Sequence, residues 1–173
     1  MKFFLLSFLF LLVGNARAAD APGACSDTGK VYKICGDQQA TFDGKLREAK
    51  GAGKMLVVVI GADWCPWCVS LDKMLKDPSF GKGFAKNFVF TNVGLYNGKA
   101  QVPSGERILD QIKTQAHYTK KIDGIPVLAV VNPSSGKATL IDTEPLEKNT
   151  ATKKGHDPAK VLAALEKAST ELR

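Results

Sequence analysis

The sequence lacks the features of fibrous and disordered proteins. Its 173 residues include only 16 glycines and 8 prolines, without a tripeptide period, an internal repeat or a low-complexity tract. Hydrophobic residues make up 45% of the chain and charged residues 24%. A chain of this length and apolar content buries a substantial core, so the composition predicts one folded globular domain.

A cluster of charge of one sign is also missing. The 24 Lys and Arg residues outnumber the 17 Asp and Glu residues and give a net charge of +7. Such a surplus points to nucleic acid or an acidic membrane surface when the basic residues are clustered. Here they are scattered along the chain, so we expect no nucleic-acid partner.

Long hydrophobic runs are absent apart from one near the start of the chain. Residues 3–13 form an apolar run of 11 residues that Ser7 alone interrupts. A helix of that length is too short to cross about 30 Å of hydrocarbon. The run follows the positive charge of Lys2 and precedes the small-x-small site at residues 16–18, a pattern typical of secretory signal peptides. We expect residues 1–18 to be cleaved, with an uncleaved anchor or a buried apolar segment as the alternative.

Export places the mature protein in the periplasm or outside the cell. No cysteine follows the predicted cleavage point directly, which argues against a lipid anchor, and we expect no stable membrane anchor. The compartment is oxidising, which sets the context for the four cysteines of the mature chain.

Apolar periodicity divides the mature chain into alternating strands and helices. The predicted order is strand, helix, strand, helix, strand, helix, hairpin, helix. That alternation indicates an α/β sandwich with a mixed sheet. The predicted strands are residues 30–35, 54–60, 87–95, 127–131 and 137–142, the predicted helices are residues 38–50, 65–76, 106–118 and 157–171, and the predicted loops are residues 97–105 and 143–155.

Cys65 and Cys68 carry the chemistry that the sequence predicts. Two cysteines in a Cys-x-x-Cys spacing at the start of a helix place both sulfurs on one side of its first turn, where they can form a disulfide or a dithiol. The unpaired N–H groups and the positive end of the helix dipole favour the thiolate of the first cysteine. We therefore predict Cys65 as the attacking thiol and Cys68 as the thiol that resolves the mixed disulfide.

A zinc site is the alternative interpretation of this pair. Zinc needs a second pair of ligands, which would have to come from Cys25 and Cys35 or from His117 and His156. Neither set has a recognisable spacing. We expect no metal, no other cofactor, and surface positions for both histidines.

Cys25 and Cys35 form a separate pair. The nine residues between them include Asp27-Thr28-Gly29, and a turn there brings the two sulfurs together as a structural disulfide worth roughly 3 kcal/mol in the chain-entropy model. The alternative is a second redox pair that relays electrons to Cys65 and Cys68.

Two segments resemble a known family. The stretch VVVIGADWCPWC (residues 57–68) is similar to the active-site segment of the thioredoxin superfamily, and IDGIPVLAVVNPSSGK (residues 122–137) is similar to its Gly-Ile-Pro strand and following hairpin. Residues 42–54 and 77–79 resemble exported members that have a helix before the core. The resemblance covers residues 41–142 and the last helix. It implies a thioredoxin-like three-layer α/β/α sandwich with a mixed central sheet and thiol:disulfide oxidoreductase activity.

The resemblance also implies roles for single residues. Pro126 is the cis proline whose loop lies beside the cysteine pair, and the backbone of Ile125 pairs with the extended chain of a substrate. Separately from the resemblance, Trp64 and Trp67 flank Cys65 with Pro66 between them, which favours a role for these residues in shaping the substrate surface. The alternative is that the two tryptophans are simple core or surface aromatics.

The sequence departs from the family pattern at several positions. Val59 stands where thioredoxin carries a buried carboxylate, so proton transfer from Cys68 relies on water or on another group. No histidine lies between the cysteines, so a very low thiolate pKa is not expected. We expect Asp63 to be a solvated carboxylate, and residues 97–105 to form a rim that selects substrates.

These observations lead to one main hypothesis and one alternative. Residues 1–18 are a signal peptide, residues 19–40 an extension, and residues 41–173 a thioredoxin-like domain that exchanges disulfides with proteins. Ile125 before the proline favours a reductase over an oxidase, which requires a membrane or soluble electron-donor protein. We expect a monomer because no oligomerisation segment is visible. The alternative is a non-catalytic module that binds a metal ion or a partner protein through the same cysteines.

Overall fold

A computed structural model describes residues 25–148 and 155–173 of the protein. The predicted signal peptide lies outside the described residues, as do residues 149–154 of the predicted loop. The described helices are α1 (Gln38–Gly51), α2 (Pro66–Lys76), α3 (Pro78–Asn87), α4 (Pro103–Gln115) and α5 (Pro158–Glu171), and the strands are β1 (Met55–Gly61), β2 (Phe88–Gly94), β3 (Tyr96–Asn97), β4 (Ala100–Gln101), β5 (Val127–Val131) and β6 (Ala138–Asp142).

A mixed four-stranded sheet forms the centre of the fold. The strand order is β2-β1-β5-β6, with β1 parallel to β2, and with β5 antiparallel to both β1 and β6. All seven residues of β1 are buried, as expected for an apolar strand covered on both faces. The predicted fold class, an α/β sandwich with a mixed sheet, is confirmed, as is the hairpin of β5 and β6.

Helices cover both faces of this sheet. Alternate side chains of a strand point to opposite faces, so Leu56 and Ile60 pack in one core with residues of α1 and α4. Val57 and Val59 pack in the other core with residues of α2, α3 and α5. The molecule therefore has three layers, and β1 runs between the two cores.

Local sequence signals correctly predicted where helices α1 and α5 begin. The Asp37 carboxylate accepts a hydrogen bond from the Ala40 N–H at 3.0 Å and begins α1. Asp157 caps α5 in the same way, with Pro158 at the first helical position. Both ends follow from the preference for a short acidic side chain before a helix and a proline just inside it.

The predicted strand at residues 30–35 is wrong. That segment turns instead, because carboxylates take the backbone N–H groups that a strand would pair with a neighbour. Asp27 accepts from the N–H groups of Ile34 at 3.0 Å and Cys35 at 2.9 Å. Asp63 accepts from the Val31 N–H at 2.8 Å. Side-chain competition of this kind favours turns over strands.

Helix α3 was missed by the sequence analysis. Asp77 and Pro78 end α2 as predicted, but they also begin the next helix at once. The Asp77 side chain accepts from the Ser79 N–H at 2.8 Å, and Pro78 opens α3. Asp77 and Pro78 therefore end α2 and begin α3.

The predicted loop at residues 97–105 contains regular structure. Strands β3 and β4 pair as a small antiparallel hairpin, with Gly98 at its turn in the left-handed region (φ 60°). Helix α4 then begins at Pro103, which suits the first helical position, rather than at Glu106.

Candidate active site

Cys65 and Cys68 lie at the start of α2, directly beyond the end of β1. Cys65 is the N-cap residue, and its Sγ accepts a hydrogen bond from the Cys68 N–H at 3.2 Å. The two cysteines form a disulfide, with their Cα atoms 5.3 Å apart. Pro66 occupies the first helical position, where its missing N–H costs nothing.

The two buried cysteine residues differ slightly in exposure. Cys65 keeps an exposed fraction of 3%, whereas Cys68 has none. The Cys65 sulfur also sits at the positive end of the α2 dipole, which stabilises a thiolate there after reduction. The helix dipole and this small difference in exposure favour Cys65 over Cys68 as the sulfur that exchanges with a partner.

The loop before β5 lies against the cysteine pair. The Ile125-Pro126 peptide bond is cis, as the resemblance implies. Cys65 Sγ lies 3.5 Å from the carbonyl oxygen of Ile125. Thr143, which the sequence analysis did not single out, donates its hydroxyl to the Pro126 carbonyl at 2.7 Å and is buried. Nothing in the sequence marks this threonine, because it approaches Pro126 through the pairing of β5 and β6.

Trp64 and Trp67 both border the groove that Cys65 lines. Trp64 is 56% exposed, and its ring lies 6.0 Å from that of Tyr96. A groove of about 630 Å³ runs from this side of Cys65 toward α4. Trp67 borders a second groove of about 620 Å³, which runs along Pro126. Ile125 contributes to both grooves, so the cis-proline loop separates them.

The expectation that both histidines lie on the surface is wrong for His156. Its side chain is buried, with its ring 5.9 Å from that of Trp67 in an edge-on arrangement. A backbone bridge to Glu147 brings it there. Burial lowers the pKa of His156, and among the described residues neither ring nitrogen has a hydrogen-bond partner. His117 is exposed, at a left-handed position (φ 49°) just after α4.

The expectation of a solvated carboxylate at Asp63 is also wrong. Its Oδ1 accepts from the backbone N–H groups of Val31 at 2.8 Å and Tyr32 at 3.3 Å. Asp63 stands two residues before Cys65, so it ties the N-terminal segment to the turn that carries the active site.

Tyr32 is a site residue that sequence reasoning missed. It is fully buried and packs with Cys65 and Cys68 in one cluster. Burial, with the carboxylates of Asp72 and Asp63 as lesser causes, raises the pKa of its phenol. A single tyrosine in an N-terminal segment carries no sequence signal of such a contact, since only tertiary packing brings it to the cysteines.

Cys25 and Cys35 are joined in a disulfide of their own, with their Cα atoms 5.5 Å apart. Both cysteines are exposed. The two carboxylate oxygens of Asp27 accept hydrogen bonds from the backbone N–H groups of Ile34 and Cys35. The loop that the two cysteines close carries Tyr32.

A redox-capable cysteine pair between a central β-strand and a helix is typical of thioredoxin-like thiol:disulfide oxidoreductases, and the fold and the pair place the protein in that class. A family model described as thioredoxin-like matches residues 37–133, which is more than half of the chain. The chain therefore belongs to the thioredoxin-like family, and the predicted enzyme class is confirmed.

Three solved structures are similar to this chain over most of its length. A disulphide isomerase from Xylella fastidiosa Temecula1 is 25% identical, with 82% of this chain and 89% of that chain covered and a TM-score of 0.49. A thioredoxin from Thermus thermophilus is 17% identical, with 76% and 85% covered and a TM-score of 0.49. A DsbH oxidoreductase is 20% identical, with 92% and 96% covered and a TM-score of 0.45.

No curated protein sequence matches the chain. Within residues 25–148 and 155–173, every helix is too short or too polar to span a bilayer.

Proposed function

We propose that this protein is an exported thiol:disulfide oxidoreductase that reduces disulfides of protein substrates through Cys65 and Cys68. The observation that carries the proposal is the asymmetry of the pair. Cys65 caps α2, retains some exposure and lies 3.5 Å from the Ile125 carbonyl, whereas Cys68 is fully covered.

The reaction proceeds by two exchanges. The Cys65 thiolate attacks a substrate disulfide, so that a mixed disulfide forms and the other substrate sulfur leaves as a thiolate. The Cys68 thiolate then attacks Cys65 Sγ and releases the second substrate sulfur. Two electrons pass to the substrate, the two protons of the cysteines end on the substrate thiols, and the Cys65–Cys68 disulfide remains. A membrane or soluble electron-donor protein restores the dithiol.

The surface around Cys65 suits an extended peptide. The Ile125 backbone stands beside the sulfur and offers main-chain hydrogen bonds, as an exposed strand edge does for an added strand. Trp64, Pro66 and Trp67 line the groove beside the sulfur with apolar and aromatic surface. Gln101 lines the same groove, which supports residues 97–105 as a rim that selects substrates.

Two features favour the reducing direction. The dipeptide Pro66-Trp67 places no cationic group between the cysteines, and Ile125 offers no side-chain donor to the sulfurs. A pair becomes strongly oxidising when its reduced form receives extra stabilisation. Because neither a cationic group nor a side-chain donor at these two positions stabilises the dithiol, the disulfide form is favoured and the dithiol is a reductant.

Export and domain organisation complete the proposal. Residues 1–18 are a signal peptide that directs the chain to the periplasm or the exterior. Residues 19–40 are an extension that contains the Cys25–Cys35 disulfide, and residues 41–173 are the catalytic domain, which acts as a monomer. The family match begins at residue 37, near this proposed boundary.

The first experiment measures the reduction potential of the Cys65–Cys68 pair by equilibration with dithiothreitol, followed by tryptophan fluorescence. We expect a value near that of thioredoxin, about −270 mV. A value near −120 mV, as in a strong oxidant, would overturn the reducing direction.

The second experiment uses Cys68→Ser to trap mixed disulfides. With the resolving sulfur removed, covalent complexes with substrate proteins accumulate and dissociate on addition of dithiothreitol. The double variant Cys25→Ser, Cys35→Ser is the matched control, because it removes the exposed pair without leaving a free thiol. Failure to trap any protein through Cys65 would contradict the proposal.

A further inference from the structure

We propose that Tyr32 is a positioning residue for the resolving step: its buried hydroxyl donates a hydrogen bond to the Cys68 sulfur when that sulfur becomes a thiolate. The inference rests on the proposed exchange at Cys65 and Cys68 and assigns a donor to the covered cysteine of the pair.

The Tyr32 hydroxyl and the Cys68 sulfur occupy one recess beside Gly61. A Cβ atom placed on Gly61 would lie 2.5 Å from Tyr32 Oη and 2.8 Å from Cys68 Sγ. The sum of these distances, 5.3 Å, is the largest separation that the two atoms can have. A small side-chain movement on opening of the disulfide brings them into hydrogen-bond contact.

Tyr32 Oη has no hydrogen-bond partner among the residues that the structure describes. The tyrosine is 0% exposed, and buried hydroxyls in native proteins are nearly always hydrogen-bonded. The disulfide form of Cys68 carries no charge to attract this donor. The thiolate of the reduced form does, so the hydroxyl gains its partner at the stage of the cycle when Cys68 must ionise.

The chain holds Tyr32 in place from two sides. Asp63 accepts from the Tyr32 N–H at 3.3 Å and from the Val31 N–H at 2.8 Å. Asn92 on β2 donates to the Val31 carbonyl at 3.4 Å. Gly94, paired with Gly61 across β1 and β2, leaves room for the segment, since a Cβ on Gly94 would lie 3.2 Å from Tyr32 Cβ.

The surroundings make Tyr32 a donor and not a base. Burial and the carboxylates of Asp72 and Asp63 raise the pKa of the phenol, so it stays protonated through the neutral range. Asp72 is itself bound by Asn92 at 2.8 Å and Lys76 at 2.7 Å. A protonated phenol beside a buried sulfur can donate a hydrogen bond to it, and hydrogen bonding to the charged form favours the thiolate.

The role fits the departure at Val59. Thioredoxin has a buried carboxylate at this position, whereas the Val59 side chain is part of the apolar core on the side of α2 and α5. The Cys68 proton passes in the end to the departing substrate thiolate. Tyr32 neither gains nor loses a proton, and its hydrogen bond lowers the pKa of the resolving thiol, Cys68.

The test compares the purified protein with Tyr32→Phe, which keeps the ring and removes the hydroxyl. The readout is the rate at which a preformed mixed disulfide on Cys65 is resolved, measured from pH 5 to 9. We expect resolution about tenfold slower at pH 7 and a pH profile displaced by about one unit to higher pH, the kinetic equivalent of one pKa unit. The control is Tyr118→Phe, which removes a phenol outside the cluster of Tyr32 with the two cysteines and leaves the profile in place.

An unchanged pH profile in Tyr32→Phe, with normal turnover in the unaltered protein, would overturn the inference alone. Absence of exchange in the unaltered protein would instead overturn the proposed function.

A second measurement needs neither substrate nor a stable variant. The ¹³Cζ resonance of Tyr32 in the reduced, unaltered protein should shift with the titration of Cys68, and the oxidised protein should show no such step. A resonance that does not respond to reduction would overturn the inference.

Discussion

The two disulfides of this protein have opposite surroundings. The Cys25–Cys35 disulfide is exposed, and the sulfur atoms and an Asp27 carboxylate oxygen lie within 4.8 Å of one another. The Cys65–Cys68 disulfide is buried, and its first sulfur caps a helix. A neighbouring carboxylate disfavours a thiolate, whereas a helix N-terminus stabilises one. Exposure alone therefore does not identify the reactive pair, because the local charge decides which sulfurs ionise.

The largest expected effect comes from removing the attacking sulfur. Cys65→Ser should reduce catalysed disulfide exchange to the uncatalysed rate, because no other described sulfur combines a helix N-terminus with an adjacent cis-proline loop. Insulin reduction at neutral pH is the measurement. Retained turnover in this variant would contradict the assignment of Cys65–Cys68 as the reactive pair and would assign the exchange to Cys25 and Cys35.

Removing the other disulfide should affect stability and not chemistry. The double variant Cys25→Ser, Cys35→Ser frees a loop whose closure is worth about 3 kcal/mol in the chain-entropy model. The midpoint of urea unfolding should fall accordingly, while the reduction potential of the Cys65–Cys68 pair stays the same. A changed potential would show that the two disulfides are energetically coupled and would contradict this separation.

A smaller effect on stability is expected at Gly61, which lies next to Tyr32 of the N-terminal segment and Cys68 of the active site. Gly61→Ala introduces a Cβ that would lie 2.5 Å from Tyr32 Oη, so the N-terminal segment must shift. We expect a loss of about 1–3 kcal/mol in the free energy of unfolding, as for other overpacked sites. Urea unfolding checks it against Gly36→Ala, since a Cβ at Gly36 meets no atom within 4 Å. Equal stability of both variants would contradict the close packing of Tyr32.

The smallest expected effect is a pH dependence of the free energy of unfolding that comes from His156, next to Trp67. Burial lowers the pKa of His156 in the folded state, so the unfolded chain binds a proton first as the pH falls. The stabilisation is complete above the unfolded pKa of about 6.5 and declines as the pH falls below it. Urea unfolding at pH 5 and 7.5 should show this decline, His156→Phe should reduce it, and the exposed-site control His117→Asn should leave it unchanged.

A decline of equal size in His156→Phe would assign the pH dependence to other groups. The cost of removing the Cys25–Cys35 disulfide should be the same at both pH values, which sharpens the contrast between the two regions.

Much of the fold was predictable because its signals are local. The apolar run that forms β1, the Asp37 cap and the Asp157-Pro158 helix start each depend on residues that are neighbours along the chain. The false strand at residues 30–35 failed for the opposite reason, since the carboxylate of Asp63, about thirty residues away along the chain, takes its N–H groups.

The sequence by itself determined the cysteine spacing, the helix that Cys65 begins, the central strand before it and the Gly-Ile-Pro segment. Only the tertiary structure decided that Ile125 stands beside Cys65, that Thr143 holds the cis-proline loop and that Tyr32 packs on Cys68. These contacts join segments far apart in sequence, and they form because the pairing of β1 with β2 and β5 brings the ends of those strands to one edge of the sheet. Their partners cannot be read from spacing, since packing and hydrogen bonding between distant segments select them.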